Sequence, residues 1–108
     1  MKSHSNLVTG SGVALDAAGK PEKAREAYEA AILLNPLQHQ AYFNLGVVLW
    51  ESLGEKDTSI RMYHKSLEID PLFPDAYHTL GTAHTSLGKY AEAKAYLDKV
   101  FLAGLHFS

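Results

Sequence analysis

The fold is decided by residues 41–54, AYFNLGVVLWESLG. Part of this stretch is a Tyr-x-x-Leu-Gly motif, and the same motif returns thirty-five residues later in the chain. The two copies are Tyr42, Leu45, Gly46 and Tyr77, Leu80, Gly81. A second apolar stripe occurs only once and consists of Phe43, Val47 and Trp50. The recurring residues therefore predict the fold, whereas the stripe that does not recur points to function.

Glycine spacing extends the motif into a repeat that covers almost the whole chain. Three glycine pairs have internal spacings of 7, 8 and 7 residues, and equivalent glycines are 34 or 35 residues apart. The pairs are Gly12 and Gly19, Gly46 and Gly54, and Gly81 and Gly88. A period of this length predicts three copies of one supersecondary unit. The middle copy carries one extra residue between its two glycines.

Each copy predicts two helices joined by a tight turn, because apolar residues recur at the spacing of a helix face. Pro21 and Pro74 suit a first helical turn, Asp57 is a candidate N-cap, and Pro36 and Pro71 end the helices before them. The six expected helices cover residues 5–18, 21–34, 39–53, 57–69, 74–87 and 90–103.

The residue pattern closely resembles the tetratricopeptide repeat, W-x2-L-G-x2-Y…A-x3-F…P over 34 residues. The departures lie at the ends: Gly10 and Gly12 weaken the first helix, and Leu105 replaces the last proline. The resemblance implies an all-α fold in which three tandem helix-turn-helix repeats form a short right-handed α-solenoid. One domain is expected over residues 1–108, with repeats at approximately 5–38, 39–73 and 74–107.

The resemblance also implies a concave groove, lined by the first helix of each pair, that binds a protein or peptide without catalysis. Apolar side chains in such a concavity, flanked by polar groups, are typical of a binding site. The candidate groove residues are Thr9, Val13, Phe43, Asn44, Val47, Trp50, His78 and Thr82. The alternative is that these side chains face a neighbouring repeat. Trp50 is ambiguous, since counting from Gly46 places it in the groove and counting from Gly54 places it in the core.

Two binding modes of the family can be compared with this chain residue by residue. The carboxylate clamp for acidic chaperone tails uses lysine, arginine and asparagine side chains on the first helices. The matching positions are Thr9, Val13, Asn44, Asp75 and Thr79. Only Asn44 agrees, and Asp75 would repel an acidic tail. An asparagine ladder would need asparagine at positions 10, 44 and 79, and again only Asn44 complies. Neither mode is expected.

Composition argues against several other functions. The 108 residues contain no cysteine, which excludes disulfides and thiolate metal sites, and the formal charge of −2 offers little to nucleic acid or anionic membranes. No apolar run approaches a membrane span, and the histidines lack the spacing of a helical metal site. No nucleophile or phosphate-binding motif is present, so an enzyme and a cofactor are not expected. An intracellular, cytoplasmic location is expected.

The C-terminal stretch is unusually apolar for the end of a repeat array, where a polar cap is normal. Its large side chains are Val100, Phe101, Leu102, Leu105 and Phe107. Burying such a side chain contributes about 1.5–3 kcal/mol. These residues therefore predict self-association into dimers or stacked solenoids, or the continuation of a longer repeat array. A third alternative is that they fold back under the last helix pair.

Overall fold

The computed structural model describes the backbone of residues 2–107 and the side chains of residues 4–102. Its six α-helices form three antiparallel pairs, and no strand occurs within the described backbone. The helices are α1 (Lys2–Ala17), α2 (Pro21–Leu34), α3 (His39–Glu51), α4 (Lys56–Ile69), α5 (Pro74–Ser86) and α6 (Tyr90–Phe107). The predicted all-α fold of three helix pairs is confirmed.

The chain divides into two compact units, Met1–Ile69 with α1 to α4 and Asp70–Ser108 with α5 and α6. Helix starts and ends follow the prolines, since Pro21 and Pro74 lie at the first helical positions and α2 and α4 end before the next proline. The prediction of Asp57 as an N-cap is wrong. Helix α4 begins at Lys56, so Asp57 lies inside its first turn, where an acidic side chain still favours the helix dipole.

In each helix pair of the first unit, a tyrosine ring of the second helix packs against a glycine of the first helix. A Cβ atom added to Gly12 would come within 2.5 Å of Tyr28, and one added to Gly46 would come within 2.6 Å of Tyr63. Both rings are only 2% exposed. The packed helices α2 and α3 share a cluster that consists of Ala24, Tyr28, Leu45, Val48 and Leu49. Glycine is therefore required where the two helices of each pair approach most closely.

Burial and nearby charge also affect the two tyrosine phenols. Burial, with a further contribution from Asp16, raises the pKa of Tyr28 to about 12. Burial also raises the pKa of Tyr63, and the carboxylate of Glu51 adds to this effect. The neutral phenol is thus the form that the fold accommodates at either position.

Serine hydroxyls of α4 bond to backbone carbonyl groups of α3. Ser59 Oγ donates to Gly46 O at 2.5 Å and Ser66 Oγ donates to His39 O at 3.0 Å. Both serines are fully buried. A buried hydroxyl needs such a partner, because an unsatisfied one would cost about 1–3 kcal/mol. These bonds fix α4 against α3 at two points along the pair.

The extra residue of the middle repeat lies in the turn after α3. In the outer repeats the residue after the second glycine donates its N–H to a carbonyl five positions earlier, as Lys20 does to Leu15 and Lys89 does to His84. In the middle repeat Glu55 donates to Leu49, six positions earlier. The register of α3 is therefore continuous through Leu49. This residue is 1% exposed and fills the core position, whereas Trp50 is half-exposed.

The second unit repeats this arrangement with different side chains. Leu97 takes the place of the tyrosine ring, and its Cδ2 would lie 2.6 Å from a Cβ atom on Gly81. His84 occupies the expected core position at 7% exposure, and its Nδ1 lies 2.8 Å from Leu80 O. Since a carbonyl only accepts, Nδ1 carries the proton. The imidazole also lies 5.0 Å from the ring of Tyr96.

Candidate functional site

The sequence-predicted residues of the first unit that remain accessible lie on α1 and α3, and we call them the first-unit face. It consists of Val13, Phe43, Asn44, Val47 and Trp50. Val13 is 51% exposed, and the four residues of α3 are half-buried. The core is already filled by other residues of α3, namely Leu45, Val48 and Leu49. The core of this unit is therefore packed without the apolar side chains of the face.

Phe43 has a structural role in addition to its exposure. Its ring centroid lies 5.7 Å from that of Tyr63, and the two planes are tilted by 46°. Aromatic pairs with this geometry contribute about 0.5–1.5 kcal/mol. A Phe43→Ala substitution would therefore lower both stability and any binding. Val47 is the cleaner position for a binding test.

Amide side chains lie at the N-terminal end of the face. Gln40 Nε2 donates to Asn44 Oδ1 at 3.0 Å, so the oxygen of the Asn44 amide is already bonded within α3. Gln38 Nε2 donates to Asn6 Oδ1 at 2.9 Å, and Gln38 Oε1 is also paired with the Ser5 hydroxyl. These bonds join the start of α1 to the start of α3 and fix the separation of the two helices at this end.

Thr9 does not contribute an accessible side chain to this face. It is 6% exposed, and its hydroxyl donates to Ser5 O at 3.0 Å. Ser5 itself is fully buried, and its hydroxyl lies 3.0 Å from Ala31 O at the end of α2. The start of α1 thus turns the Thr9 side chain into the helix pair. The sequence pattern did not reveal this, because threonine is mostly an exposed residue.

Trp50 lies at the C-terminal end of the face. The Nζ atom of Lys56 is 4.9 Å from the centroid of its ring, close enough for a cation–π interaction. The indole ring thus already contacts a cationic side chain from the first turn of α4.

On the second unit, His78 and Thr82 are both exposed on α5. The Thr82 hydroxyl donates to His78 O at 3.1 Å, a local bond that keeps the side chain against its own helix. These two residues are the first-helix candidates of the second unit taken by itself.

The C-terminal candidates lie on the last turns of α6. Val100 is half-buried, Phe101 is 65% exposed and Leu102 is 59% exposed. The side chains of Leu105 and Phe107 lie outside the described residues. Phe101 and Leu102 do not fold back under the last helix pair.

The described part of the chain offers neither a metal site nor a membrane span. No group of three or more histidine and carboxylate side chains among these residues could hold a metal ion. No helix of the described residues is long and apolar enough to cross a membrane.

The first-helix glycines, the tyrosine or leucine side chains that contact them, and the prolines that follow α2 and α4 are the signature expected from the sequence. A family model described as tetratricopeptide repeat matches residues 10–72, and a second model with the same description matches residues 62–95. The chain belongs to the tetratricopeptide repeat family. The family is generally a non-catalytic protein-interaction fold.

The proteins that this chain resembles in sequence are much longer than the chain itself. Small glutamine-rich tetratricopeptide repeat-containing protein 2 of Mycosarcoma maydis is 40% identical over 70 residues, which are 65% of this chain and 20% of that protein. The Hsp70-Hsp90 organizing protein of Triticum aestivum is 33% identical over 88 residues, which are 82% of this chain and 15% of that protein. The chain thus spans a fifth or less of these two relatives. Among solved structures, a crystal structure of MamA is similar, with a TM-score of 0.88 and 31% identity, covering 94% of this chain and 59% of that one.

Proposed function

We propose that this tetratricopeptide repeat chain is a non-catalytic interaction module whose first-unit face binds a peptide or a partner helix. The observation that carries the proposal is the stripe of Val13, Phe43, Val47 and Trp50, which remains accessible although Leu49 and its neighbours already fill the core. Apolar surface of this kind beside amide donors accepts apolar side chains while Asn44 bonds the ligand's backbone.

Family membership supports a binding module, since the tetratricopeptide repeat is generally a protein-interaction fold. On the second unit, taken by itself, His78 and Thr82 are exposed on α5 and remain candidate contacts of that unit. Thr9 is left out because its side chain is buried.

The face can be tested with a random peptide library displayed on phage, followed by titration of an enriched peptide in solution. We expect Val47→Ala to weaken that peptide's affinity up to about tenfold, because it removes two carbon groups that are each worth about 0.8 kcal/mol when buried. The matched control is Leu33→Ala. It also truncates an exposed apolar side chain, 84% exposed, but on α2 and therefore outside the first-unit face. Equal affinities for the wild type and Val47→Ala, with both folded, would place binding elsewhere.

A second candidate function is self-association through α6. Phe101 and Leu102 expose more than half of their surfaces at the end of the second unit, which is costly for large apolar side chains in water. A second copy of the chain would cover them.

Sedimentation equilibrium over a range of concentrations tests this candidate. We expect the average mass of the wild type to rise with concentration and that of a Phe101→Ser, Leu102→Ser variant to stay at 11.8 kDa. Leu33→Ser on α2 controls for the loss of an exposed leucine. A wild type that stays monomeric at the highest concentration would exclude self-association.

A further inference from the structure

Charge is distributed unevenly between the first and second helices of the three pairs. Within the described side chains, α1, α3 and α5 contain no lysine or arginine, and their charged side chains other than histidine are Asp16, Glu51 and Asp75. The second helices carry most of the cations, which are Lys23, Arg25, Lys56, Arg61, Lys65, Lys94 and Lys99. The second helices also carry seven carboxylates, so cations and anions balance there, whereas the described charged side chains of the first helices other than histidine are all acidic.

Within the first unit, both anions lie at one end of the face. Asp16 and Trp50 are register equivalents, each four residues after its repeat glycine, and Glu51 follows Trp50 directly. They lie in the last turns of α1 and α3, where the unpaired carbonyl groups of each helix add a partial negative charge. Asp16 is half-buried and Glu51 is exposed. The C-terminal end of the face therefore carries two carboxylates and the partial negative charge of two helix ends.

Two described lysines lie near this end: Lys20 follows the turn after α1, where its N–H donates to Leu15 O, and Lys56 begins α4. Lys56 belongs to α4 and lies over the Trp50 ring at 4.9 Å, so it offsets part of the charge of the two carboxylates. Arg25 of α2 is already engaged by two carboxylates, since it is bonded to Glu55 at 2.6 Å and pairs with Glu29 at 3.7 Å. His4 and His39 lie at the opposite, N-terminal ends of α1 and α3.

We infer that the occupant of the first-unit face is a peptide segment in which a lysine or arginine lies beside apolar side chains. Its apolar residues contact Val13, Phe43 and Val47, and its cation lies at the end formed by Asp16, Trp50 and Glu51. An acidic peptide tail fits this end less well, since its carboxylate would lie near those of Asp16 and Glu51. This inference rests on the proposed function and names the chemistry of the ligand.

The inference is tested first by the composition of peptides that wild-type protein enriches from the random phage library. We expect lysine or arginine to be enriched next to leucine, phenylalanine or other large apolar residues. When the library is panned on an Asp16→Asn, Glu51→Gln variant, the enriched peptides should keep their apolar residues and lose the preference for lysine or arginine. Enriched peptides that are neutral or acidic would overturn the inference and leave the proposed function standing. No enrichment over the Val47→Ala protein would overturn both.

An enriched peptide is then titrated by fluorescence anisotropy. We expect the Asp16→Asn, Glu51→Gln variant to bind about three- to tenfold more weakly, since partly exposed ion pairs are each worth up to about 1 kcal/mol. A Glu22→Gln, Glu26→Gln variant changes the net charge equally on the exposed side of α2 and should bind like the wild type. If both double variants lose affinity equally, only net charge matters and the placement of the cation is wrong.

Lys56 supplies an independent measurement of opposite sign. Lys56→Gln removes the intramolecular cation from the Trp50 ring, so affinity for the cationic peptide should rise two- to threefold at low salt. Raised ionic strength should reduce this gain, because exposed charges are screened. A loss of affinity on the Lys56→Gln substitution would contradict the inference.

Discussion

Gly46→Ala should lower the free energy of unfolding by about 2 kcal/mol, which corresponds to a fall in Tm on the order of 10 °C for a chain of this size. The new methyl group would lie 2.6 Å from Tyr63 Cε1 and 2.8 Å from Cδ1. The ring cannot retreat cheaply, because Tyr63 is 2% exposed and Ser59 beside it is bonded to Gly46 O. Alanine's better helix propensity recovers only about 1 kcal/mol. Chemical denaturation followed by circular dichroism measures the difference.

Two other glycines provide the controls for this substitution. Gly10→Ala should stabilise the chain by about 0.5–1 kcal/mol, because nothing lies within 4 Å of the added Cβ atom and alanine favours the helix. Gly81→Ala should cost less than Gly46→Ala, because the obstructing Leu97 is 39% exposed and flexible. If Gly46→Ala were no more harmful than Gly81→Ala, the fixed position of the Tyr63 ring would not be the cause.

Leu49→Ala should cost about 2–5 kcal/mol, whereas Trp50→Ala on the next residue should cost much less. Leu49 is 1% exposed and belongs to the cluster between α2 and α3, so its removal leaves a cavity. Trp50 is half-exposed and contacts Lys56 from outside the core. The larger side chain is therefore the less important one for folding.

Thermal unfolding of both variants decides between the two registers of the middle repeat. Trp50→Ala should nevertheless reduce affinity for an enriched peptide, which separates its binding role from the structural role of Leu49. A Tm for Trp50→Ala as low as that of Leu49→Ala would return Trp50 to the core.

The sequence predicted most of the fold because glycine and proline act locally. Gly19, Gly54 and Gly88 all adopt positive φ values, of 77°, 70° and 77°, at the turns where their spacing placed them. The ends of α2 and α4 at Leu34 and Ile69 agree with the prediction, since proline disfavours a helical conformation in the preceding residue. Helix α3 ends at Glu51, earlier than expected, because the inserted residue lengthens the turn rather than the helix.

The candidate site was less predictable, because exposure depends on neighbours that a helical period does not identify. Thr9 and Val13 occupy one face of α1, yet Thr9 is buried and Val13 is 51% exposed. Thr9 lies one turn after Ser5, which is itself fully buried and bonded to Ala31 and Gln38, whereas Val13 lies one turn further along. Likewise, the contact between Lys56 and Trp50 depends on the longer turn, and a residue count alone could not reveal it.

The turn between α3 and α4 also shows where this chain tolerates a change of length. The bond from Glu55 to Leu49 closes the longer loop as the five-residue bonds close the shorter ones, and Glu55 still reaches Arg25 at 2.6 Å. An insertion there leaves the stacked helices on either side in register. This turn is therefore where we expect one further residue to be tolerated with the least effect on the helices around it.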